Sequence, residues 1–375
     1  MLYQFLFVFL LPFSVWAKDF TQLDIVINEA LKNKTLPGGV LLVGKNDKVL
    51  YQKSYQSSLN TIYDLASLTK ITTAMSIMIL EEERKLRVSD RLSKYYPEFN
   101  SKDKKNISIE NLLRHNGGLA PVVKATSGES YSDFIKKTLS LPLDYKPGEK
   151  TVYSDVGFII LGDLVQKVSG MTLSEFKRQK IFRPLGMNET GYEVKSHNRD
   201  RCAPTAEDKK CIPHDPKAFF MYPHSLGHAG VFSTIGNLSR LAQLFLQKGI
   251  FHGKRILKEV SVRKMSMLYP GEVRGMGFDL LSPYANPPRG EVFPKGLSYG
   301  HTGFTGTTFW IDPQTQTYYI FLSNRVYLGE SHTGKAFTEL RRTLATLIGE
   351  SIYRDFNRLN SNAAKETATT EMKTK

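Results

Sequence analysis

One stretch limits the fold more than any other. Residues 71–80 read ITTAMSIMIL, and almost every side chain in that run is apolar or small. A helix that is apolar all round has no solvent face and belongs inside a folded body. It emerges at Glu81-Glu82-Glu83-Arg84-Lys85, where charge marks the return to water. Such a helix needs other elements to wrap it, and 375 residues supply them as two domains or one large one. A hydrophobic share of 41% with 23% charged residues fits a folded chain and excludes wholesale disorder and a multispanning membrane protein.

The wrapping elements are legible as periodicity. Leu23, Val26, Ile27 and Leu31 recur at helical spacing over 20–33. GGVLLVGKNDKVLYQKSY (38–55) reads as two strands around an Asn-Asp turn. Helical patterns follow at 107–113, 131–140, 156–168, 173–182, 236–248 and 255–267. TGTTFWIDPQTQTYYIFLSN then gives two strands across an Asp-Pro turn, before a helix from about 335 to 353. Strands near both ends with helices between predict an α/β (α+β) chain: one sheet built from about 18–60 and 285–353, with a helical insertion as second domain. The domain spans 18–354, and the Asn-, Ala-, Thr- and Lys-rich residues 355–375 read as a disordered tail.

The first seventeen residues, MLYQFLFVFLLPFSVWA, carry no charge and end in a small-x-small Val15-Trp16-Ala17. They read as a signal peptide cleaved before Lys18, giving an exported protein, periplasmic or extracellular, with no transmembrane segment after cleavage. An uncleaved anchor is the competing reading, although the run is at the short limit for a span of about 30 Å. In an oxidising compartment a Cys202–Cys211 bridge would contribute about 2.5–3 kcal/mol on the chain-entropy model. Spacing alone leaves two free thiols equally open. A net charge of +15 favours anionic envelope polymers as neighbours. Nucleic acid is not expected, because the lysines are spread along the chain.

Chemistry concentrates in three places. With Asp64 as N-cap, Ser67 falls in the first turn of the apolar helix and Lys70 one turn on, on the same face. A serine there sits beside unpaired N–H groups and the positive end of the dipole, which favours the oxyanion of acyl transfer. A desolvated lysine beside it can lose its proton and act as base. Ser101/Lys104, Ser174/Lys177 and Ser261/Lys264 share the spacing but lie in charged segments. The second place is Tyr153-Ser154-Asp155, on a loop at a helix start, where tyrosine serves as a base if cations hold its phenolate. The third is His301-Thr302-Gly303 before a strand, with glycine allowing a close approach to the strand edge. A metal set of His214, Asp215, His224 and His228 is disfavoured, since Pro223 and Gly227 break the helix its spacing needs. No metal is assigned.

Ser67-x-x-Lys70, Tyr153-x-Asp155 and His301-Thr302-Gly303, in that order, resemble the motifs of class C β-lactamases and low-molecular-weight penicillin-binding proteins. RHNGGLAP (114–121), FRPLGMNET (182–190), GHAGVFST (227–234) and GHTGFTGTTFWIDP (300–313) extend the likeness over roughly residues 20–350. The resemblance implies the β-lactamase/D,D-peptidase fold, an antiparallel sheet flanked by helices with an all-helical subdomain. It implies Ser67 as nucleophile, Lys70 and Tyr153 as the base pair, and the N–H groups of Ser67 and Phe304 as oxyanion hole. Asp155, His301, Thr302 and Gly303 would line the substrate. No cofactor is implied.

Two departures bear on function. The family's asparagine is Asp155 here, and its lysine is His301. A neutral His301 offers a substrate carboxylate one hydrogen bond where lysine adds a full charge. The resemblance therefore points to a D,D-carboxypeptidase or esterase acting on a cell-wall D-Ala-type peptide or a small ester or amide, with weak or no β-lactamase activity. A true class C-like β-lactamase, or an inactive peptidoglycan-binding member, is the alternative. The APT and HDPKA segments (203–205 and 214–218) look like a cell-wall-associated subgroup.

Overall fold

A computed structural model of the chain describes residues 20–373. The apolar N-terminal segment and its expected cleavage point lie outside them.

A five-stranded antiparallel sheet runs, edge to edge, Lys48–Tyr55, Gly39–Lys45, Thr317–Ser323, Thr308–Asp312 and Tyr299–Thr302. The N-terminal hairpin thus docks on the C-terminal strands, with Val40 opposite Leu322 and Leu42 opposite Ile320. Successive side chains on a strand face opposite sides. Val40, Leu42, Tyr318, Ile320 and Leu322 join the large core that includes Ile71, Met75 and Met78 of the apolar helix. Leu41, Val43, Trp310, Tyr319 and Phe321 face the other way and pack on Leu23, Ile27, Phe337, Leu344 and Ile348. Both faces are covered, which is why these strands carry continuous apolar runs.

The apolar helix spans Thr69–Glu82, and all twelve residues from Thr69 to Leu80 are buried. The helix Asp155–Ser169 packs beside it, begun by the Ser154 N-cap hydroxyl and ended by Gly170 in the left-handed conformation. Other helices lie close to their expected places, at Thr21–Lys32, Tyr131–Ser140 and Ile235–Leu246. The stretch 173–182 is helical in two parts, an α turn at Leu173–Lys177 and a π turn at Arg178–Phe182.

The C-terminal helix runs Glu330–Lys373, so its backbone is helical across residues whose composition reads as a disordered tail. Residues 355–373 contain alanine, glutamate and lysine and neither proline nor glycine, so nothing in them stops a helix anchored through Leu344, Ile348 and Ile352. Cys202 and Cys211 form a disulfide and pack with Ile62 and Phe232. Among the described residues no single helix is long and apolar enough to cross a membrane.

Candidate active site

The segment before Ser67 is held from several sides. Tyr63–Asp64 pairs with Phe232–Ser233, and a 3-10 turn over Ala66–Leu68 leads into the apolar helix. Asp64 does not occupy the N-cap position of that helix, which falls at Leu68. Its buried carboxylate instead accepts the N–H of Ala66 at 2.8 Å and of His214 at 2.7 Å. This pins Ala66 at φ 45°, a left-handed conformation that a residue with a Cβ adopts only when its surroundings impose it. The strain lies immediately before Ser67.

The edge strand Tyr299–Thr302 and its following turn close on the same segment. Gly303 donates to Thr307 O at 2.8 Å, and the Thr305 and Thr307 hydroxyls donate to the carbonyls of Asp64 and Leu65. A Cβ at 303 would lie 2.1 Å from Thr307 Oγ1 and 2.5 Å from Leu65 O, so only glycine permits this approach. The close approach expected at Gly303 is to the backbone leading to Ser67. Phe304 rides on that turn with its ring half exposed, stacked on His214 at a centroid separation of 6.0 Å.

Lys70 is fully buried, and its ammonium donates to Ser67 Oγ at 3.0 Å, Asp155 Oδ1 at 2.9 Å and the His228 carbonyl at 3.0 Å. The third contact depends on Gly227, where a Cβ would lie 2.1 Å from Phe158 O. Burial opposes charge on Lys70, but the Asp155 carboxylate and then Tyr153 outweigh it and hold the ammonium's pKa above the usual lysine value. Burial likewise opposes charge on Asp155, yet Lys70, His228 and Lys217 bring its carboxyl down to about 2. The two form an ion pair, Lys70 protonated and Asp155 ionised.

Tyr153 lies against this pair, its ring under two cations. Lys70 Nζ lies 4.8 Å from the ring centroid and the Arg274 guanidinium carbon 5.1 Å, both within cation–π range. The rings of His115 and Tyr284 pack on it in tilted arrangements, with centroids 4.7 Å and 5.7 Å away. His115 Nδ1 also accepts the N–H of Ser154 at 3.0 Å, fixing the loop that carries Tyr153. The Tyr153 hydroxyl is buried and has no hydrogen-bond partner among the described residues.

His301 departs from its expected role. Its Nδ1 lies 2.8 Å from the Thr302 carbonyl, which can only accept, so the ring hydrogen is spent there. Burial, then Arg274 and Lys70, depress its pKa well below the ordinary histidine value. The neutral ring therefore leaves a bare lone pair on Nε2, and that atom is buried without a partner among the described residues. It accepts hydrogen bonds; it does not offer one to a carboxylate.

The structure thus brings Ser67, Lys70, Tyr153 and Asp155 together, with His301, Thr302 and Gly303 on the adjoining edge. Cys202 and Cys211 pair with each other, and Ile62 beside them lies just before Tyr63–Asp64. Sequence reasoning did not single out His115, Lys217, Arg274 or the backbone carbonyl of His228. His115, Lys217 and His228 lie in segments that carry the family likeness and Arg274 does not, and which way each side chain turns is set by distant parts of the chain. Asp155, Asp215 and His228 have the spacing of a metal cluster, and Lys70 and Lys217 already occupy it with their ammonium groups. A donor set paired with two fixed cations does not suit a metal ion.

The chain resembles known proteins in sequence and in fold. The family model described as Beta-lactamase matches residues 23–342. A protein of Escherichia coli (strain K12) named "Putative D-alanyl-D-alanine carboxypeptidase" is 29% identical over 340 residues, covering 77% of this chain and 78% of its own. A penicillin-binding protein homolog from Caulobacter crescentus superposes with TM-score 0.69 at 19% identity, over 88% of this chain and 97% of that one. EstCE1, a hydrolase with promiscuous acyltransferase activity, gives TM-score 0.69 at 19% identity, over 87% of this chain and 97% of its own. At these identities the likeness to the solved structures is one of fold.

Proposed function

The chain belongs to the beta-lactamase family and is a serine hydrolase of that fold, and we propose that it is exported, forms an acyl-enzyme on Ser67, and hydrolyses a D-Ala-type peptide or a small ester or amide. The observation that carries this reading is the 3.0 Å contact between Lys70 Nζ and Ser67 Oγ at the mouth of a buried helix. In this reading Tyr153, which lies beside the Lys70 and Arg274 cations, takes the serine proton as the hydroxyl attacks the acyl carbon. The N–H groups of Ser67 and Phe304 receive the oxyanion, on a turn locked to the Asp64–Leu65 carbonyls. The proton passes to the leaving alcohol or amine, and water then repeats the sequence to release the acid.

Export is supported by the apolar first seventeen residues and by the disulfide, which persists in oxidising compartments. The substrate reading is supported by the name of the Escherichia coli relative and by His301, which lacks the charge that would draw an anionic β-lactam. The net charge of +15 is compatible with retention on anionic envelope polymers.

A substrate panel tests the proposal: a short-chain p-nitrophenyl ester, a D-Ala-D-Ala peptide and a chromogenic cephalosporin on the purified protein. Turnover of the ester or the peptide above the cephalosporin is expected. Preferential cephalosporin hydrolysis would make it a β-lactamase, and no turnover of any of the three would remove the hydrolase assignment.

A further inference from the structure

The site contains a cation that its three motifs do not account for. Lys217 lies on the short helix Pro216–Phe220 and is buried, with its ammonium 3.2 Å from Asp155 Oδ2 and 2.8 Å from Asp215 Oδ2. The other oxygen of Asp155 is the one that Lys70 holds. One carboxylate is therefore divided between two ammonium groups. Lys217 is directed there by its own helix start, because Asp215 Oδ1 accepts the N–H of Lys217 at 2.9 Å and of Ala218 at 3.0 Å. His228 Nε2 braces the same oxygen at 2.9 Å.

We propose that Lys217 is a positioning residue of the reaction centre, whose charge offsets Asp155 so that the two together stand in for the neutral asparagine of the family pattern. This rests on the reading of Ser67 as nucleophile. Without Lys217, the full carboxylate charge of Asp155 would bear on Lys70 and through it on Tyr153. The groups facing the pair are Lys70 from the apolar helix, Tyr153 from its own loop, His214 and Asp215 beside Lys217, and His228 opposite. Arg274 and His301 stand behind Tyr153. The sign of the effect is independent of which group is the base. Removing a positive charge makes proton release harder from either Lys70 or Tyr153, and removing a negative one makes it easier. Removing both should nearly cancel.

The test is the pH dependence of kcat/KM for a p-nitrophenyl ester in Lys217→Met, Asp155→Asn, the double variant and Lys217→Arg, with thermal melting run on each. Lys217→Met should move the acidic limb up by about one to three pH units, the size expected for one close charge. Asp155→Asn should move it down. The double variant should return toward the native position, and Lys217→Arg, which keeps the charge, should stay near it. A Lys217→Met limb that does not move, or a double variant whose losses simply add, would overturn the proposal. If Lys217→Met fails to fold, the double variant is compared with Asp155→Asn, and coincident limbs overturn it equally. Labelling of the native protein by a fluorophosphonate is measured alongside. Its failure removes the Ser67 reading itself, whereas labelling with unmoved limbs removes only the role of Lys217.

Discussion

His301 Nδ1 lies 2.8 Å from the carbonyl oxygen of Thr302, the next residue in the chain. That contact decides which nitrogen carries the hydrogen, and with it what the edge strand offers a substrate. A carbonyl only accepts, so a neutral ring is protonated at Nδ1 and bare at Nε2. Ring 15N spectra should show His301 as the Nδ1–H form at neutral pH; an Nε2–H signature would contradict this. His301→Lys should then favour substrates with a carboxylate at this edge over neutral ones. A charge-assisted bond replaces none, so a gain of about tenfold in the ratio of kcat/KM values is expected. An unmoved ratio would show that the substrate does not reach this nitrogen.

Arg341, on the C-terminal helix, grips the turn that carries Phe304. Its guanidinium donates to Gly303 O at 2.7 Å, Thr307 O at 2.9 Å and Thr308 Oγ1 at 3.1 Å. Three fixed donors on one turn hold it against the Ser67 segment. Arg341→Met should lower kcat by about tenfold or more, with KM changed much less, since a loosened oxyanion donor is missed mainly in the transition state. Arg341→Lys should recover part of the loss, because a single ammonium cannot reproduce the planar fork. Equal changes in kcat and KM in the reverse sense, with KM carrying the loss, would count against this role.

Lys177 is buried, and its amine contacts Thr73 Oγ1 at 2.8 Å, Tyr192 Oη at 2.9 Å and Thr69 O at 3.5 Å, none of them a carboxylate. Burial depresses its pKa well below the usual lysine value. The unfolded chain therefore binds one proton more than the folded one between that lowered value and about 10.4, and this group makes stability rise with pH across the window. Lys177→Met removes the penalty. Thr73 and Tyr192 still donate to Gly227 O and Leu226 O. The variant should be more stable than the native protein at neutral pH, with the difference narrowing by about 1.4 kcal/mol per pH unit as pH rises through the window. Chemical denaturation at several pH values reads this directly, and a pH-independent difference would show that Lys177 is charged when folded.

What the sequence disclosed, and what it withheld, follows from the range of the interactions involved. Residues 71–80 had to be a buried helix because no face of it is polar, and 236–248 read as helical because its apolar side chains repeat at helical spacing, close to the Ile235–Leu246 of the structure. The pairing of the N-terminal hairpin with the C-terminal strands was readable from the order of elements. Ser67 stood out among four Ser-x-x-Lys pairs by its apolar helix. The partner of Asp155 did not, because Lys217 is 62 residues further on and turns inward only through the cap that Asp215 supplies. His115 was hidden for the same reason: its bond to Ser154 spans 39 residues. The tautomer of His301 depends on one backbone carbonyl, which no residue pattern encodes. The end of the chain reads as disordered by composition, whereas its backbone continues a helix begun by apolar anchors, through residues that include no proline or glycine.

The central claim is that Ser67 is the atom that is acylated. Intact-mass and peptide mapping after fluorophosphonate treatment test it most directly, comparing the native protein with Ser67→Ala. The native chain should gain one adduct, carried by the peptide containing Ser67, and should hydrolyse the p-nitrophenyl ester. Ser67→Ala should gain none and turn over nothing, while its stability stays within about 1 kcal/mol of native, since only a small polar group is lost. An adduct on another residue, or ester turnover that survives in Ser67→Ala, would contradict the account.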